Sequence, residues 1–246
     1  MALACVAALR GSTEESARWE RRAIATAEQL DFPSGPFSAA FVSVYLAWIR
    51  MITGNRDEAR QFGRRTIEIA ERCRFDYFQL LGRQYVLIPE LDRPCDVTEL
   101  EQYGVGMDLV GHGAFRPTYL GIVAQNHHFR GDAGPALRAL DEAMDRTATS
   151  GELVHQPDLL RLRAEIMTAA HPDRMDEVVE DLVAAMEIGL AQGSLVLALR
   201  AANDLARLPR DVRPPDSSHR IRAVLERFPP NSSSPELAEA LDLLGV

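Results

Sequence analysis

The adjacent pair His127-His128 is the part of this sequence that most resembles a chemical site, with His112 and Asp132 nearby along the chain. Imidazoles that bind one metal ion from a helix usually stand at positions i and i+3 or i+4, on one face. Adjacent helical residues point about 100° apart, so both histidines cannot easily hold one ion. Packing between helices is therefore favoured for the pair, and contact of His128 with a ligand and metal binding are the alternatives.

Two groups of carboxylates have the spacing of paired acid and base groups: Asp92, Asp96 and Glu99, and Asp141, Glu142 and Asp145. Catalysis by such a pair needs two carboxylates held at one reacting bond, and acidic residues spread over helix faces are usually solvated surface. The glycines between residues 104 and 113 follow no strand, so they do not predict a phosphate-binding loop. We expect both features to be structural.

Several catalytic signatures are missing from the chain. It contains no Gly-x-Ser-x-Gly, Cys-x-x-Cys or His-Glu-x-x-His motif, and all 27 basic residues are arginine. Without lysine there is no P-loop lysine, Schiff-base lysine or protein-kinase lysine. The sequence therefore predicts a protein without catalytic residues, metal or cofactor, and a helical enzyme is the weakest alternative.

Binding is the remaining role for the polar side chains. Arginine pairs with carboxylates through two parallel hydrogen bonds, although arginines also cover apolar surface with their stems while the charge stays in water. An exposed tryptophan would anchor a partner, whereas a core tryptophan would only pack. The candidate groove residues are Trp48, Gln125, His128, Arg161, Arg163 and Arg200.

The helices that must position these side chains are marked by turns and helix ends that recur at regular spacing. Glycine turns occur at Gly11, Gly54 and Gly131, separated by 43 and 77 residues. A second series of helix ends is spaced by 43, 40, 36 and 42 residues, at Phe32, Phe75, Phe115, Gly151 and Gly193. Two interleaved series with a period near 40 predict a two-helix unit that is repeated about five times.

The tetratricopeptide pattern tests this repeat more sharply. Anchored on Gly131, the pattern falls on Leu120-x2-Val123-Ala124-x2-His127, then Ala136-x3-Leu140 and Ala143. Anchored on Gly54, Leu46-Ala47 and Ala59 fit, whereas Ser43 and Arg50 replace large apolar residues. We predict an all-α fold, a right-handed α-solenoid of about five to six degenerate tetratricopeptide-like helix pairs.

The helices predicted from apolar spacing, caps and prolines cover most of the chain. Their ranges are 2–10, 13–30, 37–53, 56–74, 76–92, 96–110, 118–130, 133–148, 157–170, 174–192, 195–208, 217–228 and 235–244. Pro89 and Pro94 should end or kink the fifth helix early, and residues 93–115 should be the least regular segment. We assign residues 1–208 to the repeats and residues 209–246 to a C-terminal helical cap.

The amino-acid composition limits the cellular locations and the classes of binding partner that we expect. The net charge of −9 argues against a nucleic-acid surface, and the three cysteines at 5, 73 and 95 are typical of reduced thiols in a cytoplasmic protein. The apolar run Phe37–Ile52 is interrupted by polar residues and is too short to span a bilayer. Met1–Leu9 lacks a basic segment, so it predicts a helix and not a signal peptide.

Several stretches resemble the helical tail of a known family. These are residues 158–165, Asp-Leu-Leu-Arg-Leu-Arg-Ala-Glu, residues 184–208, the final run Glu236–Leu244, and the turns that begin at Gly54 and Arg130. The family is the large actinobacterial and proteobacterial ATPase regulators, which often carry adenylate-cyclase-like or LuxR-type modules. The resemblance covers most of the chain and is strongest after residue 115.

This resemblance implies a tetratricopeptide-like scaffold that senses a ligand or partner and restrains a nucleotide-binding module. The chain has no Walker A motif, cyclase segment or helix-turn-helix to carry the other activities of the relatives. We therefore expect a detached, non-catalytic scaffold that binds a partner protein or peptide in its concave groove, a nucleotide-binding ATPase module being one such partner. The alternative is a sensor whose groove binds a small-molecule effector; we expect no direct contact with nucleic acid or membrane.

Overall fold

The computed structural model describes residues 1–89, 95–109, 115–230, 232 and 234–245, and within these ranges all regular structure is helical. The α-helices are α1 Ala2–Leu9, α2 Thr13–Glu28, α3 Ser34–Ile52, α4 Arg56–Cys73, α5 Asp76–Val86, α6 Val97–Leu109, α7 Arg116–Phe129, α8 Ala133–Ser150, α9 Gln156–Ala170, α10 Met175–Gln192, α11 Leu195–Arg207, α12 Ser217–Leu225 and α13 Pro235–Leu244. A short 3-10 helix, Leu153–His155, precedes α9. The all-α prediction is confirmed.

The helix boundaries follow the signals that predicted them. Gly193 ends α10 with φ of 70°, the left-handed conformation that glycine adopts without a steric penalty. Prolines 117, 157 and 235 stand in the first turns of α7, α9 and α13. The fifth helix ends at Val86, earlier than the predicted range, as expected from Pro89 shortly beyond it. Pro94, His112 and the glycines at 111 and 113 lie outside the described residues.

The chain divides into two compact units. The first consists of Met1–Ala8 and Glu14–Gly113, and the second of Leu9–Thr13 and Ala114–Val246. The predicted boundary between repeats at 1–208 and a cap at 209–246 stays a prediction. Within the second unit, α12 and α13 both pack against α11.

In the first unit, α3, α4 and α5 form the closely packed part. α4 lies against both of its neighbours, and α3 also contacts α5 directly. Gly63 of α4 and Gly82 of α5 allow their helices to approach closely, because a Cβ on Gly63 would lie 2.8 Å from the carbonyl oxygen of Gly82. By contrast, α2 approaches α3 much less closely than α4 does. This difference leaves a space between α2 and α3.

In the second unit, each helix from α7 to α11 packs against the next. Alternate helices also touch, since α9 contacts both α7 and α11. Small residues lie on these helices, and Ala124, Ala136 and Ala143 are fully buried. Gly189 of α10 is also closely approached, because a Cβ there would lie 2.9 Å from the backbone nitrogen of Ala198 on α11.

Helix α3 is longer than the apolar run had indicated, because Pro36 is accommodated in its first turn. Within the described part of the chain, it is the one helix that by length and composition is able to cross a membrane. Ten of its 19 residues are buried in the unit, and core helices of soluble proteins share this combination of length and apolar content.

Candidate functional site

An open groove lies in the first unit, between α2 and the N-terminal half of α3. Its volume is about 600 Å³, and the start of α1 (residues 1–3) forms its third side. The floor is continuous with a small core cluster of Ala27, Val42 and Leu46. We call this space the α2–α3 groove.

The wall formed by α2 is one face of that helix. Its residues recur at the spacing of a single helical stripe: Trp19, Arg22, Ala23, Thr26, Ala27 and Leu30, the last just beyond the helix end. In a closely packed helix pair such a stripe would be covered by the next helix. Here α3 stands away from it, and Leu30 retains 44% of its accessible surface.

The wall formed by α3 is aromatic. Phe37 and Phe41, one turn apart, are 51% and 41% exposed, although large aromatic side chains are usually well buried. Phe37 is held by edge-to-face contacts with Phe75 and Phe78, at centroid distances of 5.9 and 5.1 Å. Phe41 lies against Tyr45 at 4.6 Å. These contacts fix the rings while one side of each remains open to the groove.

The charged side chain of the described groove lining lies toward the Trp19 end of the α2 wall. Arg22 is the single ionisable side chain among the described lining residues. Its guanidinium lies over the Trp19 ring, 5.5 Å from the centroid, and Arg18 lies 5.7 Å from the same ring. Glu15 pairs with Arg18 at 3.6 Å and accepts a hydrogen bond from Trp19 Nε1 at 3.4 Å. The described lining thus offers apolar surface, one cationic side chain, the α-amino group of Met1 and the hydroxyls of Thr26 and Ser38, and it includes no carboxylate, imidazole or thiol side chain.

Helix α2 is anchored to α3 through a buried ion pair at its middle. Glu20 accepts hydrogen bonds from Arg50 Nη1 and Nη2 at 3.0 and 2.7 Å, and Ser16 donates to Glu20 at 3.0 Å. Burial by itself raises the pKa of Glu20, but Arg50 and Ser16 outweigh it and hold that pKa below 4.5. This ion pair therefore fixes the middle of α2 to the C-terminal part of α3, outside the groove lining.

Of the residues predicted to line a groove, Trp48 lies on α3 but outside the α2–α3 groove. Its side chain is 8% exposed, and it is absent from the groove lining. The other five lie in the second unit. Gln125 and His128 are half-buried on α7, and His128 Nε2 lies 3.5 Å from a carboxylate oxygen of Glu165 on α9.

The three predicted arginines form ion pairs between helices. Arg163 binds Asp181 of α10 through two nitrogens. Arg161 Nη1 donates to Asp204 of α11 at 2.7 Å. Each of these arginines is thus already paired with a carboxylate of the same chain. Their predicted role in a groove stays a prediction, as do those of Trp48, Gln125 and His128.

Arg200 is the most enclosed of the three arginines. It donates to Asp158 of α9 at 3.0 Å and to Glu236 of α13 at 2.6 Å. Burial by itself raises the pKa of Asp158, but Arg200 and Arg161 outweigh it and keep that pKa below 3.8. The structure therefore brings Arg161 and Arg200 together around Asp158, which the sequence did not single out.

The histidine pair and the acidic groups are separate features. His127 Nδ1 lies 3.9 Å from Asp132, and His128 contacts Glu165 instead. Asp141, Glu142 and Asp145 are exposed on α8, and Asp96 and Glu99 are exposed at the start of α6, whereas Asp92 lies outside the described residues. Among the described residues, no group of three histidine, cysteine or acidic side chains is placed to hold a metal ion.

The residues of the α2–α3 groove were not predicted as a site. The stripe from Trp19 to Leu30 was visible, but the same spacing predicts a buried helix face. No protein-family model, curated protein or solved structure matches this chain at a significant level.

Proposed function

We propose that this chain is a non-catalytic helical-repeat scaffold that binds an apolar segment of a partner protein in the α2–α3 groove. The observation that carries the proposal is the groove itself, where Phe37, Phe41 and Leu30 each keep 41–51% of their accessible surface. Contiguous exposed apolar surface of this kind is typical of interaction sites. The described lining residues include the hydroxyls of Thr26 and Ser38 but no histidine, carboxylate or thiol side chain that would activate them.

We further propose that the helices form tetratricopeptide-like pairs within an α-solenoid. Support comes from the contacts of each helix with the next and of α9 with α7 and α11. Fully buried alanines at 124, 136 and 143 also support it, since they occupy the small-residue positions of the repeat. Right-handed stacking and relationship to the ATPase regulators belong to the same proposal, as does a cytoplasmic location.

A displayed pool of random peptides, each about 16 residues long, provides the test. The pool is selected on the immobilised full chain, and the binders are then measured by fluorescence polarisation. We expect Phe41→Asp to weaken binding about 30-fold, the effect of losing a hot-spot residue of 2 kcal/mol. Leu153→Asp is the matched control, because Leu153 is 46% exposed in the second unit. Binders that tolerate Phe41→Asp would contradict the proposal.

A small-molecule effector is the second candidate for the same groove. The volume of about 600 Å³ favours it, since small-molecule sites usually measure roughly 300–1,000 Å³ and are mostly apolar. A thermal-shift screen with metabolites distinguishes the two candidates. A ligand present at 100 times its Kd stabilises the folded chain by about 2.7 kcal/mol. A metabolite whose stabilisation is lost in Phe41→Asp and kept in Leu153→Asp would favour the sensor.

A further inference from the structure

We infer that the α2–α3 groove binds an amphipathic helix of about three turns, with an acidic residue of that helix placed at the Trp19–Arg22 end. This inference rests on the proposed function and specifies the partner segment. Three observations support it: the length of the α2 wall, the distribution of charged residues along α2, and the availability of Arg22 for an ion pair.

The length of the α2 wall suits a short helix. Trp19 and Leu30 are eleven residues apart in the chain, and at 1.5 Å per residue this corresponds to about 16 Å, or three helical turns. A helix lying along α2 would place its apolar residues at i, i+3 or i+4, and i+7 into the groove. Phe37 and Phe41, one turn apart on α3, would then contact successive turns of it.

The two ends of the groove differ in charge, because α2 carries basic residues near Trp19 and an acidic residue follows Leu30. At the Trp19 end, Arg22 lines the groove, and Arg18 is partly neutralised by Glu15. At the Leu30 end, Asp31 directly follows the last lining residue of this wall and is exposed. A partner helix that is acidic at the first end and basic at the second would be complementary to this pattern, and such complementarity fixes the direction of binding.

Arg22 is available for a new ion pair. It forms no ion pair with any residue in the described part of the chain, whereas Arg50 of the neighbouring helix is fully engaged with Glu20 and Glu58. Trp19 holds the Arg22 guanidinium by stacking, so less conformational freedom is lost when a carboxylate binds. A carboxylate placed here would contact both the cation and the apolar wall.

The test uses a displayed pool of amphipathic helices, about 14 residues long, with both end positions randomised. The peptides are acetylated and amidated when resynthesised, so that terminal charges do not contribute. We expect Asp and Glu to be enriched at one end in binders that Phe41→Asp abolishes. Resynthesised pairs that differ only by Glu or Gln at that end should differ about two- to fivefold in Kd.

Substitutions in the protein test whether Arg22 causes the preference for Glu over Gln. Arg22→Gln should remove the difference between the Glu and Gln peptides, and Arg22→Glu should reverse the enrichment toward Arg and Lys. Arg21→Gln is the matched control, because Arg21 is an exposed neighbour on α2 outside the groove lining. The Glu preference should also shrink at high salt, since exposed charges are screened.

The outcomes separate this inference from the proposed function. Groove-dependent binders without acidic enrichment, or a preference that survives Arg22→Gln, would overturn the inference and leave the proposed function standing. A pool without groove-dependent binders would overturn both. Dodecanoate is the third probe: Arg22-dependent binding of this fatty acid together with no selective peptide would assign the carboxylate to a small amphiphile and overturn the partner helix.

Discussion

Arg200 on α11 and Glu236 at the start of α13 are joined by hydrogen bonds from Nε and Nη2 to one carboxylate oxygen, at 3.2 and 2.6 Å. Asn203 adds a bond to the backbone oxygen of Glu236 at 2.9 Å. The guanidinium also reaches Asp158 on α9. One arginine thus connects three helices that are distant in sequence, and these polar contacts at the first turn of α13 add to the packing of Ala240 and Leu244 in the core.

Replacing that arginine should be costly. We expect Arg200→Leu to lower the free energy of unfolding of the second unit by about 3–5 kcal/mol, because Asp158 and Glu236 lose a shared buried partner. Urea unfolding followed by circular dichroism measures the loss, and hydrogen exchange locates it in α9, α11 and α13. Arg210→Leu, an exposed arginine in the loop before α12, is the control. Equal stability of the two variants would contradict a structural role for Arg200.

His155 gives the second unit a defined dependence on pH. Burial lowers the pKa of His155 to about 4, against the opposing charge of Asp158. Between pH 6.5 and 4 the unfolded chain binds this proton and the folded chain does not, so stability falls as the pH falls. The loss should approach about 3 kcal/mol at pH 4 and then level off.

His155→Gln tests this dependence, because glutamine keeps a polar partner for Thr118, whose hydroxyl lies 2.9 Å from His155 Nε2. The measurement is the free energy of unfolding between pH 6.5 and 5, above the range in which most carboxylates titrate. The variant should lose a slope of about 1.4 kcal/mol per pH unit. His219→Gln, on an exposed position of α12, should retain that slope. An unchanged slope in His155→Gln would show that the histidine titrates normally.

The sequence predicted the helices well because their boundaries have local causes. Gly193 and the first-turn prolines act within a few residues, so they are visible in the sequence. The ion pairs of Arg200 depend on residues 42 and 36 positions away, and no local pattern marks them. The groove was not predictable for a related reason: the stripe from Trp19 to Leu30 has core spacing, and only the distance of α3 leaves it open.

Cys5 should react far more slowly than the other two thiols. Burial raises the pKa of Cys5 to about 11, so at pH 8 about one molecule in a thousand carries the reactive thiolate. Cys73 and Cys95 are partly exposed. We expect a disulfide reagent at pH 8 to modify Cys73 and Cys95 in the folded chain and Cys5 only after unfolding, with the sites identified by peptide mass spectrometry. Modification of Cys5 at the same rate as Cys73 would show that α1 opens readily.

Two glycine substitutions should have opposite effects, one at Gly134 in the first turn of α8 and one at Gly63, where α4 crosses α5. Alanine favours helices over glycine by about 1 kcal/mol, and at Gly134 the nearest atom to a new Cβ is the mobile end of Arg138, 3.6 Å away. Gly134→Ala should therefore raise stability by up to about 1 kcal/mol. At Gly63 the same Cβ would meet the Gly82 carbonyl at 2.8 Å, so Gly63→Ala should lower stability by about 1–3 kcal/mol, as overpacking does. Chemical unfolding of both variants measures the signs. Stabilisation by both would mean that α4 and α5 separate without cost, and the close packing of the first unit would then be wrong.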